Sequence, residues 1–212
     1  MSIGTDSNRG CTGIPLLTCS LCAAYLLLFL LFGPAPEALV YNRAAIAQGE
    51  LWRLVSGHFV HCDRQHLVWN LLPLLLISGL LEQRIGWLRC AGLTGLSCLG
   101  ISFWLYFGQT DLLRYCGLSG ILNSLFAVLL ARLWQEHRHP VVLLIGLAAI
   151  IKIAIEIMQQ QAVFTHLSWG SVPEAHGAGM VVGVAVVLYA ESRSAGLSAT
   201  GLSFNPGVMR TR

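Results

Sequence analysis

An all-α, polytopic membrane protein is the fold class that this sequence predicts, on three observations. Of its 212 residues, 55% are hydrophobic and only 11% are charged, against about a quarter charged in a soluble domain. Mean hydropathy is +0.67. The few charges gather at the ends of long apolar runs. One compact membrane domain is the economical reading of such a chain. The net charge of +3 is small and the basic residues are scattered, so no nucleic-acid partner is expected.

A membrane-crossing helix needs about 20 largely apolar residues. Six segments qualify or come close: 14–33, 66–81, 88–108, 116–133, 140–158 and 173–191. The first resembles a secretory leader, because "GPAPEA" offers small residues for cleavage. Its n-region carries only Arg9, however, and its apolar stretch exceeds the 7–15 residues usual in leaders, which favours a retained helix. In the second, His66 and Asn70 occupy the first turns; polar residues there are costly unless they line a cavity, so they point to function. Gly, Ser and Thr dominate the tail after Arg193, which reads as disordered. The expected organisation is a cytoplasmic segment 1–13, a membrane domain 14–191 and a flexible cytoplasmic tail 192–212.

Arginine placement sets the orientation, since cytoplasmic loops are enriched in Lys and Arg. Six spans put both termini on one side, with Arg9, Arg84, Arg89, Arg132, Arg138, Arg193, Arg210 and Arg212. The other side holds only Arg43, Arg53, Arg64 and Arg114. Both termini are therefore expected in the cytoplasm. The long loop 34–65 is external, with Trp52 and Phe59 placed for the membrane interface. The seven cysteines lack metal-ligand spacing. Cys19 and Cys22 form a C-x-x-C inside an apolar helix and read as packing; Cys62 and Cys116 fall on the same outer side, so a disulfide is open to them.

Depth brings the polar residues together. The fourth span starts near Cys116 and leaves near Arg132, which puts Ser119 about 20 Å above the cytoplasmic end at 1.5 Å per residue. The sixth runs from Pro173 to Glu191 and puts His176 at about 22 Å. His66 and Asn70, four apart on one helix face, also start at the outer end. A serine nucleophile needs a base, usually His, and its oxyanion intermediate needs donors such as Asn or His. Gly117 and Gly120 leave room around Ser119. Gly179 and Gly183 form a small-xxx-small stripe that lets another helix approach closely.

At these residues the chain resembles the rhomboid intramembrane serine proteases, over about 50–190. The matching pieces are "WR" at 52–53, "HLVWN" at 66–70, "LEQRIG" at 81–86, "GLSG" at 117–120 and "AHGAGMVVG" at 175–183. The resemblance implies a six-transmembrane-helix rhomboid-like bundle. In it Ser119 is the nucleophile, His176 the general base, and His66, Asn70 and the Ser119 N–H the oxyanion hole, with no metal or organic cofactor. Within the family, "GELWRLVSGHFVH" at 49–61 is most similar to the rhombosortases. That implies a bacterial inner-membrane enzyme with its site toward the periplasm. Its partners would be membrane lipid and substrate transmembrane helices bearing a C-terminal Gly-Gly motif, a membrane helix and a basic tail.

Asn123 stands where many rhomboids have an aromatic beside the histidine, and a hydrogen bond from it to His176 is open. No acidic residue is expected to orient His176, so a Ser–His dyad is anticipated. Lys152 and Glu156, four apart in the fifth span, read as a structural ion pair; the sharper reading gives Lys152 a part in receiving substrate. Glu174 reads as an interfacial charge, and His137 and His139 as solvated loop residues. A catalytically inactive rhomboid-like protein that binds membrane helices is the rival reading. A transporter is disfavoured by the lack of an inverted repeat or paired broken helices.

Overall fold

The computed structural model describes residues 13–163 and 172–199. Most of the expected N-terminal segment and the last part of the expected tail lie outside these residues. The described part is a helical bundle with one antiparallel pair of two-residue strands, Tyr41–Asn42 (β1) against Arg114–Tyr115 (β2). The all-α class therefore holds.

Helix α1, Leu16–Phe32, begins without a cap from its own N-terminal residue. A buried carboxylate from elsewhere supplies one: Glu82 accepts from Leu17 N at 2.9 Å and from Thr18 N and Thr18 Oγ1 at 2.8 Å each. A helix N-terminus carries unpaired N–H groups and a partial positive charge, so an anion fits there. Glu82 belongs to α5, Gly79–Ile85, the last part of a span that starts as α4, Arg64–Pro73. Asp63 caps α4 by accepting from His66 N at 2.7 Å. Between α4 and α5 the helix widens into a π turn, Leu74–Ser78. It follows directly on Pro73, whose ring removes a backbone donor from the ladder.

Segment 34–63 is a packed layer. It holds two short helices, Arg43–Ala47 (α2) and Arg53–Ser56 (α3), and buries Val40, Tyr41, Ile46 and Arg53. Trp52 is exposed, as an interfacial ring would be. Phe59 instead stacks on Tyr25 of α1, with ring centroids 5.2 Å apart; two aromatic faces bury more apolar surface than one ring at an interface.

Helix α6, Trp87–Phe107, and α7, Ser119–His137, build the core with α9, Pro173–Ala199. Ile101, Leu105, Ile121 and Leu125 are fully buried among them. Helix α8, Pro140–Gln159, packs at the edge and buries only Ile153 and Glu156. Leucine, isoleucine and valine cover its outward face, as lipid contact requires.

Among the described residues, four helices are long and apolar enough to cross a membrane: Arg64–Ile85, Trp87–Phe107, Pro140–Gln159 and Pro173–Arg193. Leu16–Phe32 is apolar but shorter. The expected fourth span differs most. It starts at Ser119, not near Cys116, and runs on through Arg132 and Glu136 to His137. Because α7 is the most enclosed helix, it presents little surface to lipid and tolerates polar residues such as Ser124, which accepts from Ser97 at 2.7 Å. Helix α9 continues to Ala199, past the expected end at 191.

Candidate active site

Ser119 is the first residue of α7, where backbone N–H groups have no intrahelical partner. The turn before it is fixed from three directions. Gly117 N donates to Gly57 O at 2.9 Å, Tyr115 O–H donates to Gly117 O at 2.6 Å, and β2 pairs with β1. Gly117 has φ +128°, and a Cβ there would lie 2.6 Å from the His66 ring. Only glycine combines that backbone with so close a neighbour.

Helices α7 and α9 touch backbone to backbone. A Cβ on Gly179 would lie 1.9 Å from Gly120 O, and one on Gly183 would lie 2.5 Å from Ser124 O. A Cβ on Gly120 would meet Ala175 O at 2.8 Å. The small-residue stripe thus meets its partner at the level of Ser119. The imidazole of His176, one turn before Gly179, is carried to the serine, and His176 Nε2 lies 2.8 Å from Ser119 Oγ.

The other ring nitrogen corrects the sequence expectation of an unaided dyad. His176 Nδ1 lies 2.9 Å from Glu156 Oε2. Glu156 is 1% exposed, and its other oxygen accepts from Lys152 Nζ at 2.7 Å and from Val163 N at 3.1 Å. The carboxylate therefore meets three donors, which is what a buried anion requires. It also selects the tautomer: with the proton on Nδ1 facing Glu156, Nε2 is free to accept from the serine hydroxyl. Lys152 pairs with Glu156 as expected, but the pair is one end of a chain of contacts ending at Ser119. The signal was available, since Glu156 is 16 residues into α8, about 24 Å above its start, at the depth already assigned to His176.

Ser119, His176, His66, Asn70, Lys152 and Glu156 line one cavity of about 590 Å³. Asn70 is buried, and its Nδ2 donates to His66 O at 2.8 Å, which leaves its second amide hydrogen for the cavity. Among the described residues its Oδ1 has no partner. Asn123 does not reach His176; its Nδ2 donates back to Ser119 O at 2.9 Å, the usual local bond of such a residue near a helix start. Glu174 is held by Gln160 Nε2 at 2.8 Å on the exposed rim. His137 is exposed, and His139, also exposed, caps α8 by accepting from Val141 N at 3.3 Å. The arrangement is chemically able to take a proton from a hydroxyl and hold the resulting imidazolium against a carboxylate.

A family model described as "Rhomboid domain" matches residues 48–193, which contain the whole cavity. A curated relative, "RHOMBOID-like protein 5" of Arabidopsis thaliana, is 29% identical over 136 residues, covering 60% of this chain. The match spans 44% of that relative's length.

Proposed function

The chain belongs to the rhomboid family, and from that premise we propose that it is an intramembrane serine endopeptidase with Ser119 as nucleophile. The 2.8 Å contact between Ser119 Oγ and His176 Nε2 carries this reading. Ser119 Oγ attacks a substrate carbonyl as its proton passes to Nε2. The Nδ1–H bond to Glu156 holds the ring and stabilises the imidazolium, so a Ser–His–Glu relay replaces the anticipated dyad. The oxyanion meets the Ser119 N–H and the side chains of Asn70 and His66. Nε2 then protonates the leaving amine, and water releases the acyl group by the same steps in reverse order. A catalytically inactive rhomboid-like protein that binds membrane helices without cutting them has no need of this alignment.

Helical amides are shielded by their own hydrogen bonds. Glycine loosens a helix by about 1 kcal/mol relative to Ala, so cleavage beside small residues is expected. We assign substrates of the rhombosortase kind, with a C-terminal Gly-Gly motif, a membrane helix and a basic tail, on the likeness at 49–61. Six spans are proposed: α1, the helix 64–85, α6, α7, α8 and α9. The arginine asymmetry supports cytoplasmic termini with the site toward the opposite face; a bacterial inner-membrane location, with that face periplasmic, is proposed on the same likeness at 49–61.

Ser119→Ala and His176→Ala should each lower cleavage of such a substrate by about 10⁴-fold or more, with the double variant little worse than either, because these groups act as a unit. Near-normal turnover by Ser119→Ala overturns the protease reading. Equal cleavage with and without the Gly-Gly pair overturns only the substrate class.

A further inference from the structure

Beside the proposed relay lies a cluster that shares one residue, His66, with the oxyanion hole and adds two thiols that the reaction does not use. Cys62, His66 and Cys116 place Sγ, a ring nitrogen and Sγ all within 4.8 Å of one another. Cys62 Sγ lies 3.2 Å from His66 Nδ1, and it also lies 3.5 Å from Asp63 Oδ2. Fifty-four positions separate Cys62 from Cys116, so no local spacing announces the cluster. The fold assembles it from two fixed pieces. Cys62 and His66 flank the Asp63 cap of α4, and Cys116 sits between β2 and the Gly117 turn.

We propose that Cys62 Sγ, His66 Nδ1 and Cys116 Sγ form a site for one soft divalent cation of the zinc class, with the fourth coordination position open to the cavity. Zinc–sulfur and zinc–nitrogen bonds of about 2.3 and 2.0 Å in a tetrahedron place donors roughly 3.3–3.8 Å apart. The Cys62–His66 separation already meets that, and the rest of the cluster needs to close by no more than about 1 Å. Two thiolates and one imidazole are the donor set that such a cation prefers, and the Asp63 carboxylate adds negative charge beside it. All three ligands also line the cavity, which leaves one face accessible. Binding releases two thiol protons to solvent. It also fixes the proton of His66 on Nε2, the nitrogen that faces Gly117. A disulfide would use only the two thiols; the approach of His66 Nδ1 to 3.2 Å from Cys62 Sγ, with all three donors converging, favours a metal.

The inference rests on coordination geometry and stands or falls apart from hydrolysis. The full chain, purified in detergent and reduced, is titrated with Co²⁺ alone, and the thiolate-to-cobalt charge-transfer absorption is followed. One equivalent should bind and be displaced by Zn²⁺. Cys62→Ser and Cys116→Ser should each lose the band, while Cys19→Ser/Cys22→Ser and Ser119→Ala keep it. In the unaltered protein one equivalent of Zn²⁺ should protect two thiols from maleimide, mapped by mass spectrometry to Cys62 and Cys116. No band, a band that survives loss of both Cys62 and Cys116, or protection mapped elsewhere overturns the site. So does recovery of a Cys62–Cys116 disulfide from membranes quenched with an alkylating reagent.

Discussion

Glu156 meets its donors in a fixed pattern: Oε1 accepts from Lys152 and Val163, and Oε2 faces His176. Glu156→Gln tests its part without changing shape. The amide oxygen stays with the two obligate donors, so the NH₂ group turns toward His176 Nδ1 and forces the proton onto Nε2. That nitrogen then cannot accept from Ser119. Turnover should fall by about 10²–10⁴ while KM and melting temperature stay close to the parent's. A variant with full turnover per folded molecule and lower melting temperature would reduce Glu156 to a tie between α8 and α9. At this scale the sequence was legible wherever depth could be counted: Ser119, His176, His66 and Asn70 line one cavity as depth required. Glu156 was missed because its i,i+4 pairing with Lys152 offered a sufficient local explanation. The thiols of Cys62 and Cys116 were placed on one side, but nothing in spacing tells how near two loop residues come.

Gly179 and Gly146 separate what a glycine does at a helix contact from what it does facing lipid. Gly179→Ala puts a methyl 1.9 Å from Gly120 O, so the backbones of α7 and α9 must part by about 1 Å or more. Such overpacking costs about 1–3 kcal/mol or more, and it also pulls His176 from Ser119. Melting temperature and cleavage should fall together. Gly146→Ala meets only Leu130 Cδ1 at 3.6 Å, an ordinary contact; its melting temperature should hold or rise, since Ala is about 1 kcal/mol the better helix former. If the Gly179 variant keeps its full melting temperature, the tight α7–α9 contact is wrong. Helix order was legible in the apolar runs, and four of the six expected spans coincide, among the described residues, with helices long and apolar enough to cross a membrane. Boundaries were less so. The start of α7 at Ser119 depends on the Gly117 turn, which is set by contacts with Gly57 and His66 from distant parts of the chain. The π turn after Pro73 also leaves hydropathy unchanged and cannot be read from it.

Whole-molecule stability should depend on pH through His58, in the layer formed by segment 34–63. It is 1% exposed, and its Nε2 lies 2.9 Å from Ser102 Oγ. Nδ1 lies 3.4 Å from the Tyr115 hydroxyl, which is itself committed to Gly117 O. No acid faces it among these partners, and burial pushes its pKa down to about 4. The folded state keeps His58 neutral while the unfolded chain titrates near its ordinary value of about 6.5. Between those values the unfolded state binds more protons. Through His58 alone stability should therefore be level above about pH 6.5 and fall by on the order of 3 kcal/mol as pH drops to about 4; His61, pushed down by burial to about 3, adds to the fall in the same direction. Thermal melting across that range checks it; His58→Gln should lower stability at neutral pH and flatten the slope, and an unchanged slope refutes the assignment. The proposed orientation has its own test. Reporters within 134–139 and after Arg193 should lie on one side and a reporter within 40–50 on the other; an opposite-side C-terminus would mean an odd number of spans.

Helix α8 turns the chemistry into a problem of leverage. It leaves α7 at Arg138, a left-handed residue, and is capped by His139, so its foot is a short pivot. Along its length only Ile153 and Glu156 are buried. Glu156 rides about 24 Å above that pivot. A tilt of about 5° swings it by about 2 Å, enough to carry a 2.9 Å hydrogen bond beyond its working range. Apolar helices meet a thicker or thinner bilayer by tilting. The thickness of the surrounding lipid thus acts at the far end of a lever arm whose tip is the carboxylate facing His176.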